Sequence, residues 1–277
     1  MVEIAELDSA PETLEATLSY LARDADKLVT YVAAPGGRDQ RIGGDGETHP
    51  VVIHNGRLRA DRFDIEREGF RFVGSPTRVA DFYDDAEVRR VYYPECEALI
   101  RRESGAKRVV VFDHTLRTAS DEQRETKKIR DVVSRVHNDY TEWSGPQRVR
   151  DVMGAEAEKL LRGRFAIIQV WRPINHPVES HPLAICDAQS VNPANLVVNE
   201  RRYQDRVGQT YAITHDPAER WYWFPRMRPD EALVFKVYES LKDGRARWTA
   251  QTAFVDPTSP PDARPRESIE IRTLAFF

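Results

Sequence analysis

Eight short segments of strand-forming residues follow one another in the C-terminal part of the chain. They limit what the chain can fold into more than any other feature of the sequence. They read RFAIIQVWRPI, PLAICDAQSV, ANLVVNE, QTYAITHD, RWYWFPRM, EALVFKVYES, ARWTAQTAFVD and ESIEIRTLAFF, with turn residues between them. Short strands at this spacing are typical of a β-sandwich or a barrel. The pattern therefore predicts a mainly β fold with flanking helices.

The residues before this region predict a mixture of helices and strands. Residues 11–22 place Leu14, Leu18 and Leu21 at helical spacing, which predicts an N-terminal helix. The segments LVTYVAA, HPVVIHNGRLR and FDIEREGFRFVG predict a small antiparallel platform, and KRVVVFDHTLR predicts a further strand. Further helices are predicted at about 85–104 and over 144–163. We expect a single domain over residues 1–277, in which 1–65 form the helix and small β platform packed on the core.

Composition excludes several classes of function. The chain has 277 residues and a formal net charge of −4, with acidic and basic residues interspersed, so no basic face for nucleic acid is expected. The longest apolar runs are too short to span a bilayer. The first residues lack the basic and apolar regions of a secretory signal, so we expect a cytoplasmic protein. The distant Cys96 and Cys186 are expected to be small buried hydrophobic residues. The sequence leaves the oligomeric state open.

Two short motifs carry the candidate chemistry. His137 and Asp139 are two residues apart, so on a strand they point to the same face and can reach one ion together. Taken alone, this pair fits equally well a surface turn in which Asp139 caps the following helix. Arg266 and Ser268 have the same spacing, and an arginine fork beside a hydroxyl suits a carboxylate. An open ferrous site takes two histidines and one carboxylate, which leaves positions for a co-substrate and oxygen.

Two further cations interrupt apolar segments. Arg172 lies in VWRPI and Lys236 in FKVYES. Each is predicted either to point into the core cavity and contact a substrate or cofactor, or to lie at a strand end with its charged group in water.

Several of these segments together resemble a known family. VFDHTLR, HNDYTEWSGPQRV, WRPI, PLAICDAQSV, RWYWFPRM, EALVFKVYES, TAFVDPTSPPDARPRES and IEIR resemble, in the same order over about residues 65–277, the hydroxylase/desaturase family. That family includes AsaB-like, gibberellin-desaturase-like and cephamycin-methoxylation-like proteins. The resemblance implies a double-stranded β-helix, or jelly-roll, core and an Fe(II)- and 2-oxoglutarate-dependent dioxygenase. It implies that His137 and Asp139 bind iron and that Arg266 and Ser268 bind 2-oxoglutarate.

The sequence departs from the family at two positions. Gln251 stands where the family usually has its third ligand, a histidine, and Glu219 stands where a second histidine is common. An amide oxygen is a poorer donor than imidazole to a first-row divalent ion. Three alternatives follow: Gln251 coordinates iron weakly or through water, His215 replaces it, or iron chemistry has been lost.

The leading prediction is an oxidoreductase, an iron and 2-oxoglutarate dependent oxygenase that uses molecular oxygen to hydroxylate or desaturate a small natural-product-like molecule. One alternative is a metal-degenerate jelly-roll protein that binds a small carboxylic acid. Another is a β-sandwich interaction domain without a deep pocket.

Overall fold

Two large β-sheets form most of the molecule. The computed structural model describes residues 10–23 and 28–277, so residues 1–9 of the expected N-terminal unit lie outside the described part. The strands, in chain order, are β1 (Thr13–Leu21), β2 (Leu28–Tyr31), β3 (Gln40–Ile42), β4 (Gly46–Asn55), β5 (Phe70–Gly74), β6 (Arg108–Thr118), β7 (Arg130–Asp131), β8 (His137–Asn138), β9 (Phe165–Pro173), β10 (Leu183–Cys186), β11 (Leu196–Arg202), β12 (Val207–Ile213), β13 (Trp221–Trp223), β14 (Glu231–Glu239), β15 (Gln251–Ala253) and β16 (Glu267–Phe276).

The larger sheet has the strand order β1-β4-β13-β10-β15-β8-β12-β11-β2-β3, and the smaller one β5-β14-β9-β16-β6-β7. The main apolar core lies between them, because Ile185 and Tyr222 of the larger sheet pack in one cluster with Trp171, Leu233 and Leu274 of the smaller one. All eight C-terminal segments contain the strands that the sequence predicted, so the mainly β prediction is confirmed.

The helices flank the sheets. They are α1 (Asp85–Glu87), a π-helical turn (Val88–Tyr92), α2 (Tyr93–Ser104), α3 (Asp121–Thr126), α4 (Ser144–Met153) and α5 (Ala157–Leu160), with short 3-10 helices at Gly56–Arg62, Gly154–Glu156, Ala188–Ser190 and Pro193–Asn195. Helix α2 buries Cys96, Leu99 and Ile100 against Ile168 and Val170 on the outer face of β9. The helix predicted at about 85–104 is confirmed in position. The single helix predicted over 144–163 is instead divided at Gly154, whose φ is positive, and ends at Leu160.

The predicted N-terminal helix is wrong, because residues 13–21 form strand β1. From Leu14 to Tyr20 every second residue of β1 is buried, and the alternating residues Thr13, Glu15 and Thr17 are exposed. Leu14 and Leu18 are four residues apart, a spacing that suits both a helix and a strand. The burial of Ala16 and Tyr20 as well gives the apolar residues a period of two, which is that of a strand. Strand β1 pairs with β4 over its whole length.

Three of the other N-terminal strands pair with C-terminal ones, so the predicted small antiparallel platform is wrong: its strands are divided between the two sheets. β4 lies parallel to β13, β2 lies parallel to β11, and β5 lies antiparallel to β14. We therefore propose that the described chain is one domain.

Two further sequence-based expectations concern the cysteines and membrane-spanning segments. Cys96 and Cys186 are both buried and unpaired, as predicted. Among the helices of residues 10–23 and 28–277, none is long and apolar enough to cross a membrane.

Candidate active site between the two sheets

His137 and Gln251 lie directly opposite each other on neighbouring strands. The short β8 runs antiparallel to β12 on one side and to β15 on the other, and the β15 register places Gln251 opposite His137 and Ile185. Residues directly opposite in an antiparallel pair have their side chains on the same face. Because Ile185 packs in the core between the sheets, this row of side chains faces the smaller sheet.

Asp139 joins the two sheets. Its Oδ1 atom is 3.4 Å from Nε2 of His137. Its Oδ2 atom accepts hydrogen bonds from Nε2 of Gln169 at 2.6 Å and from Nε of Arg272 at 3.3 Å, on β9 and β16 of the smaller sheet. Burial raises the pKa of Asp139, but the hydrogen bond with His137 and the charge of Arg272 outweigh it, so this pKa lies well below its ordinary value. The carboxylate is therefore ionised at neutral pH.

The main chain orients the His137 ring. Its Nδ1 atom is 2.9 Å from the carbonyl oxygen of Arg135. A carbonyl oxygen only accepts hydrogen bonds, so Nδ1 carries the proton and donates it. Nε2, the atom beside Asp139, is then the ring nitrogen that is left for a metal, which is the arrangement that a histidine needs to bind one.

These residues fit a divalent metal. Two donors about 2.1 Å from one ion, at an angle between 90° and 109°, lie about 3.0 to 3.4 Å apart. The measured separation of Nε2 and Oδ1 is 3.4 Å. In the described part of the chain, no group of three or more His, Cys, Asp or Glu side chains could hold a metal, so a third protein ligand must be of another type. The Oε1 atom of Gln251 is buried and has no hydrogen-bond partner, as expected of an oxygen that a cation would satisfy.

A second polar group lies at the start of β16, where Arg266 directly precedes the strand and Ser268 is its second residue. Arg266 is 2% exposed and Ser268 is 1% exposed. Nη1 of Arg266 donates to the carbonyl oxygen of His181 at 2.7 Å, and the guanidinium lies 5.4 Å from the centre of the Trp171 ring. The Nε atom of Arg266 and the hydroxyl of Ser268 are buried without partners. One oxygen-rich anion would satisfy both.

Arg117 adds a second cation, which the sequence reasoning missed. It lies on β6 directly opposite Ser268 and therefore on the same face. Its Nη1 atom donates to the carbonyl oxygen of Asp131 at 2.9 Å. Burial, together with the charge of Arg117, lowers the pKa of Arg266 to about 9. Within the described residues neither guanidinium is paired with a carboxylate, so the two charges favour an anion between them.

The structure does not bring Arg172 and Lys236 to this place. Arg172 lies on the opposite face of β9, where it bonds to the carbonyl oxygen of Pro229 and the hydroxyl of Ser75 and lies over the ring of Tyr92. Lys236 is fully buried, and its Nζ atom bonds to Glu66 at 2.8 Å and to Glu239 at 3.1 Å. Both cations already have structural partners.

His215 is also kept apart from His137. Its ring stacks on that of His49 with the ring centres 3.9 Å apart, and Tyr20 meets it edge-on. Tyr20 donates a hydrogen bond of 2.7 Å to Glu219, whose pKa is raised to about 7 by burial. These side chains form a separate cluster beside the apolar group that contains Leu18, on the other face of the larger sheet.

Gln169 and Arg272 are further site residues that the sequence reasoning did not select. They lie opposite each other on β9 and β16. Gln169 is the one polar residue in the run FAIIQVW and is fully buried. A buried amide in an apolar strand needs a hydrogen-bond partner, and that signal was available in the sequence. Its partner, Asp139, becomes apparent only when the sheets are assembled.

The jelly-roll places an imidazole, a carboxylate and an amide oxygen beside an arginine and a serine. This is the arrangement of a metal-dependent oxygenase with an acidic co-substrate. A family model described as an oxidoreductase/YMDC permease-like domain matches residues 18–276. The Fe(II)/2-oxoglutarate-dependent dioxygenase nvfI of Aspergillus novofumigatus is 34% identical over 238 residues, which cover 82% of this chain and 83% of the relative. The hydroxylase/desaturase efuI of Hormonema carpetanum is 30% identical, with 96% of this chain and 95% of the relative covered.

Solved structures agree with these relatives. The iron and alpha-ketoglutarate-dependent endoperoxidase NvfI matches with a TM-score of 0.85 and 28% identity, covering 96% of this chain and 99% of that chain. This chain belongs to the family of Fe(II)/2-oxoglutarate-dependent dioxygenases that includes the hydroxylase/desaturases. The predicted family and the jelly-roll core are confirmed.

Proposed function

We propose that this protein is an oxygenase that hydroxylates or desaturates a small natural-product-like molecule, with His137, Asp139 and Gln251 as ligands of Fe(II). Arg266 and Ser268 hold the far carboxylate of 2-oxoglutarate, and Arg117 adds a second positive charge. The observation that carries the proposal is the set of buried atoms without partners: Oε1 of Gln251, Nε of Arg266 and the hydroxyl of Ser268. One metal ion and one dicarboxylate would satisfy all of them.

The protein's own side chains divide the work. Bound iron, together with 2-oxoglutarate and oxygen, supplies the oxidation that removes hydrogen from the substrate. His137 offers Nε2, because Nδ1 faces a main-chain carbonyl oxygen, and Asp139 offers an ionised oxygen. Arg266 and Ser268 fix one end of the co-substrate, and the apolar core between the sheets limits access of water.

Gln251 sets the strength of metal binding. Its carbonyl oxygen is neutral and is a weaker donor to Fe(II) than an imidazole nitrogen. The site therefore has one nitrogen and two oxygen donors. We expect a lower affinity for Fe(II) than a site with two histidines has, with the same open positions for co-substrate and oxygen.

An anaerobic titration tests this function. Fe(II) and 2-oxoglutarate added together should give a visible charge-transfer band, and admission of air should give succinate. The Arg266→Ala variant should lose the band at co-substrate concentrations that saturate the wild type. Absence of both band and succinate in the wild type would exclude the oxygenase proposal.

A second candidate is favoured by one observation, which is the glutamine at the third ligand position. If metal binding is too weak, the pair Arg266 and Ser268 still forms a carboxylate site. The protein would then bind 2-oxoglutarate or a similar dicarboxylate without catalysis. In the presence of EDTA, 2-oxoglutarate should raise the melting temperature of the wild type and not that of Arg266→Ala, while no succinate forms with Fe(II).

A further inference from the structure

The two oxygens of Asp139 have different surroundings. Oδ2 accepts two hydrogen bonds from the smaller sheet, one from Gln169 and one from Arg272. Oδ1 lies beside Nε2 of His137. Since Oδ2 already has two donors, Oδ1 is the oxygen that remains for a metal.

Arg272 is itself held in a fixed orientation. Its Nη1 atom donates to the hydroxyl of Thr115 at 2.8 Å and to Asp113 at 3.3 Å, and its Nη2 atom donates to Glu270. A guanidinium bound at three of its nitrogens has little freedom to rotate. Its Nε–H therefore points in one direction, towards Asp139.

Gln169 fixes the same carboxylate oxygen from the neighbouring strand. It is fully buried and lies directly opposite Arg272. Its hydrogen bond to Asp139 is the shorter of the two, at 2.6 Å. Without these two donors the carboxylate would be free to rotate, and Oδ1 would no longer be held beside Nε2 of His137.

We infer that Gln169 and Arg272 are positioning residues for Asp139, which keep Oδ1 turned towards the metal position and Oδ2 turned away. The inference rests on the proposed role of Asp139 as a ligand. Hydrogen-bond partners of metal ligands typically change metal affinity by about 10- to 100-fold when they are removed. Gln169→Leu and Arg272→Lys should weaken metal binding by a factor in this range. A lysine keeps the charge of Arg272 but cannot reach Thr115, Glu270 and Asp139 together.

The test uses the full chain with Gln251→His as the parent, so that a weak glutamine ligand does not limit the measurement. The Mn(II) dissociation constant is measured from the free Mn(II) electron paramagnetic resonance signal. Affinity for 2-oxoglutarate is measured separately in metal-free protein. The control is Arg124→Lys, because Arg124 is also a buried arginine, with Asp121 and Glu125 as partners, and it makes no contact with Asp139.

We expect Gln169→Leu and Arg272→Lys to raise the Mn(II) dissociation constant about 10- to 100-fold. Metal-free 2-oxoglutarate affinity should stay within about twofold, and Arg124→Lys should change neither quantity. A general loss of structure would lower both affinities. Weaker Mn(II) binding together with unchanged 2-oxoglutarate binding therefore identifies a positioning role. If Arg272→Lys does not fold, Gln169→Leu alone decides the result.

Two results would overturn the inference. One is an Mn(II) affinity of Gln169→Leu within about threefold of the parent. The other is no Mn(II) binding by the Gln251→His parent, which would remove Asp139 as a ligand altogether. A third result separates the two proposals. If the parent binds Mn(II), its Gln169→Leu and Arg272→Lys variants lose only Mn(II) affinity, and the wild type binds no Mn(II), then the proposed role of Gln251 fails and the role of Gln169 and Arg272 stands.

Discussion

Replacing Gln251 by histidine should strengthen metal binding more than any other single change. Gln251 lies opposite His137, and its buried Oε1 has no partner. An imidazole at this position offers a nitrogen donor to the same space. Because changes to the partners of ligands alter affinity by about 10- to 100-fold, a change of the ligand itself should reach the upper end, about 100-fold. This factor corresponds to about 2.8 kcal/mol.

The gain should also appear in thermal stability. A metal that binds only the folded protein stabilises it in proportion to the logarithm of its affinity, so saturating metal should add about 2.8 kcal/mol more to Gln251→His than to the wild type. For a chain of this size, 1 kcal/mol shifts the melting temperature by about 2 to 4 °C. The additional shift should therefore be about 6 to 11 °C.

The assay is differential scanning fluorimetry with Mn(II) or Co(II), with direct titration of the metal. Gln251→Leu is the matched control, because leucine fills a similar volume without any donor atom. The expected order of affinity is His above Gln above Leu. Equal affinities of Gln251→His and Gln251→Leu would show that the side chain at 251 does not face His137 and Asp139, and the reasoning about this site would be refuted.

Three further predictions concern other parts of the molecule. Arg117→Gln should weaken metal-free binding of 2-oxoglutarate about tenfold, because one charge-assisted contact is lost, while Arg108→Gln at the exposed end of the same strand should have no effect in the same calorimetric titration. Burial raises the pKa of Glu219 from 4.5 to about 7, so the folded state holds this proton more tightly and stability falls as the pH rises from about 4.5 to about 7. Glu219→Gln should remove this loss of stability, which is about 1 to 3 kcal/mol after allowance for partial exposure. The measurement is the free energy of unfolding in urea at pH 5 and at pH 8. The same pH dependence in the wild type and in Glu219→Gln would contradict this prediction. Gly69→Ala should lower the free energy of unfolding by about 2 to 4 kcal/mol, because the φ of Gly69 is +86° and an added Cβ would lie 2.4 Å from a buried threonine hydroxyl. Gly74→Ala, in open space at the other end of β5, should lower it by less than about 1 kcal/mol.

Local patterns predicted the strands and the pairs of side chains that share a face. The segment ESIEIRTLAFF forms β16, which contains Ser268, and Arg266 lies directly before it; side chains alternate along any strand whatever it packs against. The same reasoning failed for residues 11–22. There, Leu14 and Leu18 fit two periods, and pairing with β4 decided between them.

Local patterns could not predict which face of each strand would meet the opposite sheet. Arg172 and Gln169 lie three residues apart on β9 and therefore point in opposite directions. Gln169 reaches Asp139, and Arg172 reaches the ring of Tyr92 on the helix side. A strand that is buried on both faces carries no difference in polarity that would separate the two directions.

The sequence by itself determined the mainly β fold, the spacing that pairs His137 with Asp139, and the presence of a glutamine at position 251. These depend on residue identity and on the period of two along a strand, which are local properties. Only the tertiary structure decided that Gln251 lies opposite His137, that Arg117 joins Arg266, and that Gln169 and Arg272 hold Asp139. Those contacts join residues far apart in the chain, and the register and facing of the two sheets set them.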